Sequence, residues 1–121
     1  MDCPFCSLDR PIEAENSHAV AVLDAYPVCA GHVLVIPRQH IADITELPDD
    51  AYNACFGLAR QMIEKLKAES EPDGVNIGVN IGTAAGQTVF HAHIHVIPRY
   101  SGDVSDPRGG VRGVIPKQQN Y

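Results

Sequence analysis

The stretch His91-Ala-His93-Ile-His95-Val-Ile-Pro98 decides how this chain folds. Residues i, i+2 and i+4 of a strand share a face, so three imidazoles project to one side while Ala92, Ile94 and Val96 project to the other, into a core. Imidazoles are costly to bury without partners, which places them at the border of a cleft. Histidine is also the side chain whose proton equilibrium lies nearest neutral pH. Two other readings stand beside a catalytic one. The histidines are half-exposed strand residues without a role, or they form a three-histidine metal site, which needs a bulge or bend because alternating positions are spread along a strand.

Working outward, Val89 to Pro98 forms the whole of that strand. Upstream, Asn80-Ile-Gly-Thr-Ala-Ala-Gly86-Gln-Thr88 is a loop of small residues whose backbone N–H groups can approach a phosphate closely, although glycines serve ordinary turns as well. Val75 to Val79 alternates as a further strand. Before it, Pro48 opens a helix that runs to about Ser70, with Pro at the first helical position and Asp49 and Asp50 at the positive end of the dipole. Ala51, Cys55, Leu58, Met62 and Leu66 form its apolar stripe, and Asn53, Arg60, Glu64 and Lys67 fall away from it. Ala19–Leu23 and His32–Pro37 are two short apolar runs that pair as a hairpin around a loop punctuated by Pro27 and Gly31. The order β-β-α-β-β predicts one α+β domain, an antiparallel sheet covered by a single long helix. It spans residues 1–121, with the motif-bearing core in about 3–99 and an irregular tail rich in Gly, Pro and Asp in 100–121.

The chain has 121 residues, 45% of them hydrophobic, enough for one domain with a modest core. Its net charge of −6 argues against nucleic acid as a partner, because a phosphate backbone calls for clustered Lys and Arg. No apolar run reaches the length of a membrane span, and the first residues lack a basic and apolar signal segment. A cytoplasmic protein without a membrane partner is therefore expected. In that compartment disulfides are rare, and Cys3, Cys6, Cys29 and Cys55 read as metal ligands, core residues or free thiols. Cys3-Pro-Phe-Cys6 has the spacing of a zinc half-site; free thiols or a redox pair are the alternatives. Cys55 lies on the helix stripe and reads as core, and His18 as a surface residue.

The segment Gly86-Gln-Thr-Val-Phe-His91-Ala-His93-Ile-His95-Val-Ile-Pro98 is similar to the signature of the histidine-triad (HIT) family, His-φ-His-φ-His-φ-φ with φ apolar. Gly31-His-Val-Leu-Val-Ile-Pro-Arg-Gln-His40 resembles a second block of that family, and Leu23-Asp24 a third. The resemblance covers roughly residues 3–99. It implies a HIT-like fold that dimerises about a two-fold axis, and nucleotidyl transfer to a histidine. His93 then attacks the α-phosphorus, His95 donates to a non-bridging phosphate oxygen, and His32 is a further active-site histidine. Gly86, Gln87 and Thr88 belong to the phosphate-binding lead-in, with Thr88 assisting the leaving group. Asp24 matches the residue that holds the ribose hydroxyls, although on its own it reads equally as the initiator of a turn before Tyr26-Pro27. Asn80 matches a polar residue near ribose and phosphate. Phe5, Leu8 and Val22 match base-pocket positions and equally suit plain core. The resemblance also implies a structural zinc ion held by Cys3, Cys6, His40 and His91.

The partners implied are a purine nucleotide or dinucleoside polyphosphate and a second copy of the chain. Hydrolysis of adenosine phosphoramidates characterises the Hint-like branch, and hydrolysis of diadenosine polyphosphates the Fhit-like branch. The Gln87-Thr-Val lead-in resembles the latter, and the compact N-terminus with its two cysteines the former. A nucleotide-binding regulatory module with little turnover, or a nucleotidyltransferase, are the alternatives.

Overall fold

The computed structural model describes residues 3–121. Five strands, β1 (Ile12–Glu15), β2 (Ala19–Leu23), β3 (Val33–Pro37), β4 (Gly74–Gly78) and β5 (Ile94–Arg99), form one antiparallel sheet in the order β1-β2-β3-β5-β4. One helix, α1 (Asp49–Glu69), lies on it. The expected α+β architecture and the hairpin over 19–37 are both present, with Ala19 opposite Pro37 and Leu23 opposite Val33.

Strand alternation sorts the apolar residues onto two faces. Ala19, Ala21, Val33, Val35, Ile94 and Val96 pack with the helix stripe, where Ala51, Cys55, Leu58, Met62 and Leu66 are all buried as their spacing predicts. On the opposite face Val20, Val22, Leu34 and Ile36 form a second cluster, covered by Phe5 and Leu8 of the N-terminal segment. The central strands read as continuous apolar runs because both of their faces are covered.

Three expectations need correction. β1 was not foreseen: it is four residues long, two of them Glu, and a bulge between Ile12 and Ala14 interrupts its alternation. Pro48 is the residue before the helix rather than its first member, with ψ at 151° and its carbonyl accepting the Tyr52 N–H at 2.9 Å. The strand expected over 89–98 is shorter, because the ladder starts only at Ile94. Upstream of it, imidazoles take carbonyls that a longer ladder would use. His91 Nε2–H donates to Pro37 O at 2.7 Å, and His93 Nδ1–H to His91 O at 2.9 Å. The Ala92 N–H turns to Ile41 O, at 2.7 Å.

In the tail, residues 110–114 and 116–118 form two 3-10 turns. It is anchored by a bidentate Arg99–Asp103 pair at 2.7 and 2.8 Å, in which the guanidinium holds the Asp103 carboxyl far below the ordinary carboxylate range.

Ile94, the first residue of β5, stands between His93 and His95 in the chain and is fully buried on the opposite, helix-covered face. Ile94→Ala is expected to destabilise the fold by about 2–5 kcal/mol, the usual cost of emptying such a site, read from the shift of the urea unfolding midpoint.

Candidate functional site

The face of the sheet away from α1 carries a cleft of about 350 Å³. Its wall on one side is His93, His95, Asn80, Gly86, Thr88 and Val89; Leu34 lies between, and Pro4, Phe5, Arg10, Asp24, Ala25 and Tyr26 complete it. His93 and His95 stand with ring centroids 5.1 Å apart, and Phe5 meets His93 edge-on at 5.0 Å. The shared face of the three histidines thus persists although only His95 lies within the ladder. Gly86 closes the 3-10 turn Thr83–Ala85 with φ at 96°, a left-handed conformation that favours glycine there.

Hydrogen bonding assigns the proton on each ring. A carbonyl oxygen only accepts, so His93 carries its proton on Nδ1, toward His91 O, and its Nε2 holds a free lone pair. The Val28 N–H donates to His32 Nδ1 at 3.2 Å, which puts the His32 proton on Nε2. From there it donates to His95 Nδ1 at 3.0 Å, leaving the His95 proton on Nε2. The site therefore pairs an imidazole lone pair on His93 with an imidazole donor on His95. Burial pushes the His32 imidazole down from its ordinary value against the opposing pull of Asp24. His95 is lowered by burial and by His93 and His32, again against Asp24. Both are held in the neutral form that this chain of hydrogen bonds requires.

Asp24 has two attachments. Its Oδ1 accepts the Tyr26 N–H at 2.9 Å, the turn expected from the sequence, while Oδ2 lies 3.5 Å from His32 Nε2 at the edge of the cleft. Other proposed nucleotide contacts stand off the cleft. Gln87 is buried: its carbonyl accepts from Gly82 N–H at 2.9 Å, and its amide donates to Ala42 O and Val89 O at 2.9 and 3.1 Å. Its whole polar group thus shapes the loop behind Gly86 and Thr88. Val22 is fully buried, Leu8 packs over its cluster alongside Phe5, and neither is among the residues that line the cleft. Arg10 and Tyr26 are lining residues that no motif had flagged, since neither sits at a recognisable spacing from the histidines. His18 is half-exposed, 3.7 Å from Asp50.

Cys3, Cys6, His40 and His91 meet beside the cleft, their donor atoms all within 4.8 Å of one another. His91 Nδ1 lies 3.4 Å from Cys3 Sγ, 3.5 Å from Cys6 Sγ and 3.2 Å from His40 Nδ1. With the His91 proton on Nε2, a single lone pair faces all three groups. Around tetrahedral zinc, bond lengths of about 2.0–2.3 Å give donor separations of roughly 3.3–3.8 Å, close to those seen. Burial lowers the His91 imidazole, with His40 and His93 acting the same way and the Pro37 carbonyl opposing, so it is held as the neutral ligand form. The residues fit zinc. Cys29 and Cys55 lie apart from this set, and Cys55 is buried in the helix core.

The model of the HIT domain family matches residues 9–102. An uncharacterized HIT-like protein of Mycoplasma pneumoniae is 48% identical over 104 residues, covering 82% of this chain and 72% of that one. A Zn-bound histidine triad family protein from Mycobacterium smegmatis superimposes with a TM-score of 0.78 at 36% identity, over 88% of this chain and 81% of that one. AP-4-A phosphorylase of Mycobacterium tuberculosis is 34% identical over 95 residues, 78% of this chain but 49% of that protein. Among the described residues, no helix is long and apolar enough to cross a membrane.

The proton assignments are directly measurable. Long-range ¹H–¹⁵N correlation spectra are expected to show His93 as the Nδ1–H tautomer and His32 and His95 as Nε2–H. The two latter rings should titrate below the ordinary value of about 6.5. A His93 ring protonated on Nε2 alone, or His32 and His95 titrating above that value, would contradict the arrangement.

Proposed function

The chain belongs to the HIT family, and from that premise we propose that it is a nucleotide phosphohydrolase working at the α-phosphate through a covalent nucleotidyl-histidine. Its substrates are purine nucleoside phosphoramidates or dinucleoside polyphosphates. The observation that carries this reading is the His93 ring: Nδ1–H is tied to a backbone carbonyl and Nε2 is left unprotonated in the cleft.

In the first step the Nε2 lone pair of His93 forms a bond to the α-phosphorus. The bond from phosphorus to the leaving nitrogen or oxygen breaks, its electron pair departing with that atom, which takes a proton from water where it needs one. Splitting the displacement into two steps lowers each barrier. The intermediate imidazolium keeps its Nδ1–H on His91 O. His95 Nε2–H donates to a non-bridging oxygen, the Gly86 and Thr88 segment adds donors, and Thr88 assists the leaving group. Preorganised donors of this kind each contribute about 10²–10³ in rate. His32 holds His95 in the donating tautomer. Water then attacks phosphorus and releases its proton to solvent, and the P–N bond breaks with its pair returning to Nε2. The product is a nucleoside monophosphate. Asp24 Oδ2 receives the ribose hydroxyls, Asn80 lies toward ribose and phosphate, and Phe5 walls the base, with Leu8 packed alongside Phe5, Val22 beneath them and Gln87 shaping the loop.

Cys3, Cys6, His40 and His91 would hold a zinc ion whose role is structural, tying the N-terminal turn to the catalytic segment. We extend the proposal to a cytoplasmic homodimer, supported by the edge position of β4 and its exposed Ile77. The relative named AP-4-A phosphorylase gives footing to one variant, in which phosphate replaces water as the acceptor.

His93→Asn is expected to lower kcat by at least about 10³ while nucleotide binding stays measurable, since loss of a nucleophile removes the covalent route and not the cleft. A single-turnover trap with labelled substrate should place an acid-labile nucleotidyl group on His93. Near wild-type turnover by the variant would refute the assignment. Running the assay with and without inorganic phosphate separates monophosphate from diphosphate as product.

Elemental analysis is expected to find about one zinc per chain. Its removal by chelator should lower the melting temperature and expose Cys3 and Cys6 to thiol reagents. Metal-free protein with unchanged melting and fully reactive Cys3 and Cys6 as purified would remove the zinc site.

A further inference from the structure

Arg10 is the one Lys or Arg among the described residues that line the cleft, and the histidine chemistry does not use it. The register of the sheet fixes where it stands. His95 pairs with Leu34, Leu34 with Val22, and Val22 with Ile12. One row thus runs from the imidazole donor across β3 and β2 to β1, each step about 4.8 Å. Arg10 lies two residues before Ile12, and its Nη1–H donates to Leu23 O at 3.3 Å, beside Asp24. The cleft therefore has His93 and His95 at one end, Leu34 in its floor and a guanidinium at the other end.

That guanidinium is only partly engaged. Among the described residues its nearest carboxylate, Asp9, is 3.8 Å away and 92% exposed, while the Arg10 side chain itself is 21% exposed. Of its five N–H donors, one is bonded to Leu23 O, and among the described residues the others meet no acceptor at hydrogen-bond distance. A phosphate is a poor occupant here, because Asp24 flanks the position. A nucleotide with its phosphorus at His93 and its ribose at Asp24 directs its base toward Arg10.

We propose that Arg10 selects the base, donating to the adjacent O6 and N7 acceptors of a 6-oxopurine, guanine or hypoxanthine, in preference to adenine. Guanidinium carries donors alone, and guanine sets two acceptors side by side. Adenine sets its N6 amino donor beside N7, so one arm of the fork meets a donor. Phe5 gives apolar contact to any base and does not discriminate. The inference rests on the nucleotidyl-transfer reading, which leaves the base open.

The test is calorimetric titration of the full-length protein as purified with GMP, IMP and AMP, alongside Arg10→Met, which keeps the stem and removes the donors. Wild type should bind GMP and IMP about tenfold or more tighter than AMP. Arg10→Met should lose roughly ten- to a hundredfold on GMP and IMP while AMP changes by no more than about twofold. Arg10→Lys, a point charge without the fork, should keep little of the preference and serves if the Met variant does not fold. Equal affinity for all three ligands in wild type, or equal losses for all three in the variants, overturns the role of Arg10 and leaves the nucleotide site standing. Failure of wild type to bind any of the three overturns the nucleotide reading, and Arg10 with it.

Discussion

A backbone carbonyl can accept a hydrogen bond and never donate one, and the histidine-lined face of this protein depends on that constraint twice within three residues. Pro37 O takes the Nε2 proton of His91, and His91 O takes the Nδ1 proton of His93. The first bond turns the Nδ1 lone pair of His91 toward Cys3, Cys6 and His40; the second leaves His93 Nε2 free for the cleft. Alternate residues of one short segment thus present lone pairs to a metal-type donor set and to the cleft. Had either ring faced a hydroxyl instead, both of its tautomers would be satisfied and its lone pair would not be fixed.

The same bonds explain which parts of the sequence were legible. Period two put His91, His93 and His95 on one face and Ala92, Ile94 and Val96 in the core, and the face survives where the ladder does not. The early end of the ladder was hidden because a side-chain donor replaced a backbone one, and no local pattern distinguishes the two. The helix stripe was legible because Cys55, Leu58, Met62 and Leu66 recur at helical spacing against a sheet that needs covering. β1 was not, since it is only four residues long and its bulge sets Ile12 opposite Val22 but Ala14 opposite Ala21, so the alternation of Ile12-Glu-Ala-Glu15 does not correspond to one buried face.

Arg10 follows from that omission. It precedes β1, so only the pairing of Ile12 with Val22 brings it to the cleft. The converse holds for Val22. It is near the cleft in sequence terms, yet it is paired between Leu34 and Ile12 and sealed beneath Phe5 and Leu8. A sheet covered on both faces turns positions next to a site into its support, and the support is apolar for the same reason as any core.

Asp24 shows why the turn and ribose readings of one residue need not compete. A carboxylate has two oxygens with lone pairs to spare. Oδ1 accepts the Tyr26 N–H and fixes the start of the loop, so the orientation of the whole group is set before any ligand arrives. Oδ2 is left beside His32, whose Nε2 proton is already directed to His95 at the shorter distance of 3.0 Å against 3.5 Å. Asp24 therefore opposes the lowering of both imidazoles by burial without taking their proton. The turn supplies the rigidity and the free oxygen supplies the acceptor. A hydroxyl pair meeting that oxygen would find it held in place at no further cost in side-chain entropy.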